Sequence, residues 1–364
     1  QDPRSLGWAI PASTFFTDEL PEEDWLVDRL LPLNGGVVLA ADPKSGKSEL
    51  AMEIALCVAS GHPVMQLFYP TQVGPVLYVA AQGRRKKIRD RMNALAAPRD
   101  LNPAALSIDI VTRDVGFRID TSEWREAINM QMQKSNYRLV VLDTFDSLHF
   151  ANENAQQEIT PILQFLDYLT EHFQCTVLLL HHLRKLSAQA KEEPLSFNRL
   201  RGTGAIRGWY DTGILLGGED LPDNAGKRVT VLRDHRDSDD DDTFTALMKF
   251  SGKRQAAWTV DPSQTPHRDA RIFRTIAEAR GEPIGIRKIA DALNMNDKYA
   301  VVQKRLRRLI ELELIEAFEP PPNLLGPGRP ITELFGLTER GWVSATGRCK
   351  PSRGAPSGTR VRRR

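Results

Sequence analysis

The segment Ala41–Ser48 reads ADPKSGKS, with a lysine and a hydroxyl side by side behind a glycine. Residues spaced this way bind the phosphates of a nucleotide. Backbone N–H groups of the loop and of the following helix start cradle the oxygens, Lys47 reaches the β/γ-phosphates, and the Ser48 hydroxyl ligates Mg²⁺. Gly46 lets the backbone approach closely. Ala41 takes the place of the first glycine of GxxxxGK[ST], and Lys44 that of a small residue. The candidate nucleotide contacts are therefore Ala41, Asp42, Pro43, Lys44, Ser45, Gly46, Lys47 and Ser48. A metal partner for Ser48 should be an acid ending an apolar strand. YRLVVLDTFDSL supplies Asp143, 96 residues after Lys47, expected to hold the Mg²⁺ water shell opposite Ser48.

These side chains need elements to place them. Val37–Leu39 form a short apolar run before the loop, and Leu50, Ile54 and Val58 recur at helical spacing after it. Further strands are expected at Val73–Gln82, Leu106–Val111, Cys175–His182, Asp211–Gly217 and Arg228–Asp234, with helices at Lys86–Leu95, Ser122–Lys134 and Ile159–His172. Strands alternating with helices predict an α/β fold with a mostly parallel central sheet and nucleotide at the strand carboxyl ends.

Together these motifs resemble the RecA-fold ATPases of hexameric helicase type, in particular the RepA-like plasmid replicative helicase group. The resemblance runs from PEEDWLVDRLLP at Pro21–Pro32 to about Trp258, through the phosphate loop, LYVAAQ, Arg91, VVLD, LLLHHLRK and RGTGAIR in the family's order. It implies a RecA-like P-loop NTPase core that turns over ATP between subunits of a ring, a hexamer above all. It implies that His182 is the sensor of the γ-phosphate and that Arg91 lies near the phosphates. Arg207 or Arg201 would be an arginine given to the neighbouring subunit's site. Lys185–Arg199 would be the channel loop that holds single-stranded DNA.

In one respect the chain departs from the family. Where the family's strand ends in a glutamate that deprotonates the attacking water, this chain has Gln82. An amide positions water but cannot take its proton. Either hydrolysis is slow, or another carboxylate such as Asp146 or Glu49 substitutes, or bound ATP is a structural switch, or the residue is an engineered trap of the ATP state.

Composition sets the outer limits. The 364 residues include 41% hydrophobic and 26% charged side chains, enough for a sizeable core and against wholesale disorder. No apolar stretch approaches the roughly 18 residues of a membrane span. Cys57, Cys175 and Cys349 lie far apart without metal spacing, which fits a reducing cytoplasm. The sequence opens without Met or a secretory leader, and Gln1–Ser5 reads as an expression remnant. The net charge of +2 hides an asymmetry, because from His267 onward 20 Lys and Arg face 11 Asp and Glu, leaving 29 against 36 before it. The acidic run Asp237–Asp242 reads most simply as the solvated tip of a hairpin, with an acidic metal site as the lesser alternative.

In that basic part, helices are expected at Asp269–Ala279, Ile286–Met295 and Asp297–Ile315, the last capped by Asn296 or Asp297. Strand-like IEAFEP and ITELFGLTERGW follow, joined by GPGRP. The arrangement resembles a winged helix-turn-helix. Lys298, Lys304, Arg305, Arg307 and Arg308 on the third helix and Arg329 in the wing are candidate contacts to duplex DNA; a docking face for protein is the alternative. The expected divisions are a leading segment 1–34, the RecA-like core 35–262, the winged helix 266–342 and a basic disordered tail 343–364. The favoured reading is a cytoplasmic DNA-dependent motor ATPase of plasmid or mobile-element replication, a homo-oligomer with a primase or initiator as a further partner and no membrane association. An ATP-gated loader or regulator and a non-hydrolysing assembly scaffold are the alternatives.

Overall fold

The computed structural model describes residues 10–16, 25–184, 195–236, 243–251, 255–260, 272, 275–279, 282–293, 295, 299–311, 315–318 and 334–338. After a single helical turn, α1 (Ala12–Phe15), a two-strand ribbon β1 (Trp25–Val27) and β2 (Leu31–Pro32) leads into the main sheet. The sheet strands are β3 (Gly36–Ala41), β4 (Val76–Ala80), β5 (Ile108–Thr112), β6 (Leu139–Asp143), β7 (Thr176–His182), β8 (Thr212–Asp220), β9 (Gly226–His235), β10 (Thr243–Ser251) and β11 (Gln255–Val260). They form a nine-stranded sheet in the order β11-β10-β9-β8-β3-β7-β6-β4-β5. From β8 to β5 every pairing is parallel, and β8 to β11 is an antiparallel meander.

The difference in pairing is written in the residues. Every residue of β3 (GVVLAA) and of β6 (LVVLD) is buried, as a parallel strand covered on both faces demands. β9 alternates buried with more exposed positions, the mark of a strand with one wet face. Val37, Leu39 and Ala41 point to a core shared with α2 (Lys47–Ser60) and α3 (Arg85–Ala96). Val38 and Ala40 point the other way, to a core that takes in Ile128 and Met132 of α4 (Ser122–Lys134) and Ile162 and Leu166 of α5 (Gln156–Phe173). A short α6 (Gly204–Trp209) precedes β8.

Leu26, Val27, Leu30 and Leu31 of the leading segment are fully buried in the first of these cores, and Thr176 donates its hydroxyl proton to the Pro32 carbonyl at 2.7 Å. The run Asp237–Asp242 lies outside the described residues; its flanks are paired in register, Thr243 opposite Leu232.

In the C-terminal part, residues 275–278 are helical, followed by β12 (Ile284–Gly285), α7 (Ile286–Ala292), α8 (Tyr299–Glu311), β13 (Ile315–Phe318) and β14 (Leu334–Leu337). The strands form an antiparallel sheet ordered β12-β14-β13. Helix α8 ends at Glu311, short of the predicted Ile315, because Ile315 is claimed by a strand pairing with Leu337. Tail residues 343–364 lie outside the described residues. Among the described residues no helix is long and apolar enough to cross a membrane.

Candidate nucleotide site

The loop Asp42–Gly46 leaves β3 in the middle of the sheet and turns into α2 through two left-handed residues, Lys44 at φ 67° and Gly46 at φ 90°. Glycine at 46 answers two demands, since a Cβ there would also meet the Trp258 ring at 3.1 Å. The floor of the loop is thus an indole from β11, which no local pattern around the loop announces.

Lys47 opens α2 and is 7% exposed. Its Nζ donates to the His181 carbonyl at 2.7 Å and lies 3.3 Å from His182 Nδ1. Burial lowers its pKa to about 8 against the upward pull of Asp143 and Asp146. A phosphate needs the charged ammonium, so without nucleotide the site is fully competent below pH 8 and must take up a proton above it. Affinity for ATP is therefore expected to be flat from pH 7 to about 8 and then to fall by up to about tenfold per unit. Fluorescent-ATP titrations across pH 7 to 9.5 test this, and a flat profile to 9.5 would remove Lys47 from the phosphate contacts.

The Ser48 hydroxyl donates to Asp143 Oδ1 at 3.1 Å and Tyr78 donates to Oδ2 at 2.9 Å. Burial raises the Asp143 pKa, and the Tyr78 and Ser48 hydrogen bonds pull it back. A hydroxyl and a carboxylate this close, both oxygen donors, suit a small hard cation such as Mg²⁺, which takes few protein ligands and completes its shell with phosphate and water.

Around this centre lies a cleft of about 450 Å³. The loop's Asp42, Pro43, Lys44, Gly46, Lys47 and Ser48 line one side; Ala41 and Ser45 are buried beneath it. Gln82 and Arg91 line it too. The Gln82 amide donates to the Ser147 hydroxyl, and Arg91 pairs with Glu49 at 3.4 Å. His182 is half-buried with Nε2 3.7 Å from Asp146 Oδ2, and burial holds its pKa below the usual value. The far wall, missed from sequence, comes from the antiparallel strands as Lys227, Met248 and Phe250. Tyr78 was missed as well; only its place two residues before the end of β4 hinted at it.

The two candidate trans-acting arginines are not among the cleft-lining residues. Arg201 pairs with Glu153 at 2.9 Å and Arg207 bonds Asn198. Residues 185–194 of the expected channel loop lie outside the described residues, and its last residue needs correction. Arg199 is 4% exposed and grips Asp42 of the phosphate loop through both carboxylate oxygens at 3.1 and 3.0 Å. A guanidinium so placed serves the loop's shape rather than an open channel. Among the candidate DNA contacts, Lys298 and Arg329 lie outside the described residues, as do the side chains of Lys304 and Arg308. Arg307 is exposed. Arg305, expected on the outer face, is half-buried.

The phosphate-loop strand β3 sits between β7 and β8, and β6 with its terminal Asp143 lies next to β7. Counted in chain order, the six parallel strands run sixth, first, fifth, fourth, second, third across the sheet. This is the RecA-like P-loop ATPase fold. Residues 9–188, which carry the P-loop, Gln82, Asp143, His181 and His182, match the AAA domain family. Over 235 residues the chain is 26% identical to the replicative DNA helicase DnaB of Leifsonia xyli subsp. xyli (strain CTCB07), covering 59% of this chain and 50% of that protein. The chain thus spans about half the length of this relative. Among solved structures it is similar to an ATPase domain, at 18% identity and TM-score 0.46 over 62% of this chain and 84% of that one. It is also similar to the KaiC-like protein PH0186 of Pyrococcus horikoshii OT3, at 16% identity and TM-score 0.44 over 65% and 94%.

Proposed function

We propose that the protein is a DNA-dependent ATPase, a RecA-like motor of the RepA-like replicative helicase type serving plasmid or mobile-element replication. The observation that carries this reading is the convergence of Lys47, Ser48 and Asp143 at one cleft, with Lys47 tied to the strand that ends in His182. Lys47 binds the terminal phosphates and stabilises charge as the bond breaks. Ser48 and Asp143 would hold Mg²⁺, which when bound would neutralise charge on the phosphate oxygens. Gln82 orients water, and His182 senses the γ-phosphate through Lys47. The similarity to a replicative DNA helicase supports replication with DNA as partner; single-stranded DNA in the channel and a ring hexamer, in which Arg207 or Arg201 reaches the neighbour's phosphates, complete the proposal. The order of α7, α8, β13 and β14 supports a winged helix at 266–342 that takes duplex DNA through Arg307 and its neighbours, or docks a primase or initiator.

A second reading, an ATP-gated loader with little turnover, is favoured by one observation: the residue at the water position is an amide. ATP hydrolysis measured with and without single-stranded DNA, beside Lys47→Ala and Gln82→Glu, separates the two. Stimulated turnover in the unmodified chain supports the motor. Turnover no greater than that of Lys47→Ala in both the unmodified chain and Gln82→Glu rejects it.

A further inference from the structure

Gln82 leaves the site without the proton acceptor that its chemistry requires, and the carboxylate of Asp146 lies directly behind the cleft-lining Thr144 and His182. A lysine ammonium has only donors, so the 3.3 Å approach of Lys47 Nζ makes His182 Nδ1 the acceptor and leaves the proton on Nε2. That Nε2 faces Asp146 Oδ2 at 3.7 Å. The other oxygen, Oδ1, accepts the Thr144 hydroxyl at 2.6 Å and the Ser147 hydroxyl at 3.3 Å. Ser147 in turn receives the Gln82 amide. Asp146, Ser147 and Gln82 thus form one hydrogen-bonded set, and Lys47 with His182 stands beside it, the His182 ring 3.7 Å from the second Asp146 oxygen. His182, with its proton on Nε2 and its lone pair engaged by Lys47, is not free to act as base. Gln82 directs its amide N–H to Ser147 and keeps its carbonyl for a water proton. The other nearby acid, Glu49, is engaged by Arg91 at 3.4 Å.

We infer that Asp146 is the general base of ATP hydrolysis in this chain, a catalytic residue standing in for the missing glutamate. The inference rests on the ATPase reading above. The water held by the Gln82 carbonyl attacks the γ-phosphorus, and its proton passes to the Asp146 carboxylate. A new P–O bond forms as the bond from the γ-phosphorus to the β,γ-bridging oxygen breaks. The electron pair stays on ADP, and inorganic phosphate leaves. Burial pushes the pKa of Asp146 up, but the Thr144 and Ser147 hydroxyls and the Lys47 ammonium hold it below the usual carboxylate value, so the group is ionised and ready at neutral pH.

The test uses the full chain in three forms: unmodified, Asp146→Asn, and Asp146→Asn with Gln82→Glu. Steady-state turnover is measured with single-stranded DNA present, alongside affinity for a fluorescent ATP analogue. Asp146→Asn is expected to lower kcat by about 10²- to 10⁴-fold, the usual worth of a positioned base, with nucleotide affinity within about twofold of the unmodified chain. The second substitution is expected to restore turnover to within about tenfold. Turnover retained in Asp146→Asn overturns the assignment and leaves the ATPase reading standing. A loss that Gln82→Glu does not relieve overturns it too, since Asp146 is then needed for something other than the proton. Absence of turnover in the unmodified chain overturns both.

Discussion

Lys47→Ala is expected to lower ATP turnover by about 10²- to 10³-fold or more, the cost of deleting one fixed donor from a developing oxyanion, without destabilising the fold. The second half of that expectation separates a catalytic lysine from a structural one. Burial lowers the Lys47 pKa to about 8, which means the folded protein carries this charge at a cost. Between about 8 and 10.5 the unfolded chain keeps a proton that the folded chain has lost, so the site adds to stability as pH rises through that window and detracts below it. Removing the ammonium relieves that burden, while the His181 carbonyl it leaves is a backbone oxygen within reach of water entering the cleft. Lys47→Arg is expected to fail as well, since a planar fork cannot occupy a place shaped for a compact ammonium 2.7 Å from a carbonyl. Thermal unfolding and steady-state hydrolysis on the same preparations decide the matter. A Lys47→Ala protein that melts well below the unmodified chain would make the lysine a structural element, and the turnover loss would then say little about catalysis.

The largest expected effect on stability lies away from the chemistry. Glu53 on α2 is fully buried, and its Oε1 meets Arg99 at 2.6 Å and the Met65 backbone N–H at 2.8 Å. Burial pushes the carboxyl up, while Arg99 and the backbone N–H groups of Met65 and Trp258 pull it down. The pair thus ties α2, the turn at Met65, the turn that follows α3 and β11 at one point. Glu53→Ala leaves Arg99, itself largely buried, without its counter-charge and is expected to cost about 3–5 kcal/mol. Replacing both residues by methionine is expected to recover most of that, since an apolar pair of similar volume needs no compensation. Because Trp258 is also the floor under Gly46, Glu53→Ala is expected to weaken ATP binding along with the fold. Urea unfolding of the two single variants and the double variant measures the coupling. A loss under about 1 kcal/mol for Glu53→Ala would show the pair to be incidental.

Much of the site was readable from the chain because its signals are local. A phosphate loop is made mainly of backbone, so a few residues at fixed spacing specify it, and the strand before and helix after it announce themselves by period. Asp143 was readable for the same reason, as the acid that ends an apolar run. The parallel strands were found as continuous apolar stretches and their helices as amphipathic ones. β11 escaped, because GKRQAAWTV offers little alternation and its indole is needed only by residues more than two hundred positions earlier. Arg199 looked like part of a polar loop and is instead clamped on Asp42.

Residue types and spacing were sufficient for the presence of a phosphate loop, the acid that partners its serine, the α/β alternation and the charge imbalance between the two parts of the chain. Each of these follows from short-range sterics, hydrogen-bonding capacity or simple counting. Folding was needed to show which groups face one another: Tyr78 on Asp143, Trp258 beneath Gly46, Lys227 and Phe250 across the cleft, and Asp146 between His182 and Ser147. Those pairings depend on strand order and register in a nine-stranded sheet. A one-residue shift of register would turn each such strand's side chains to the opposite face.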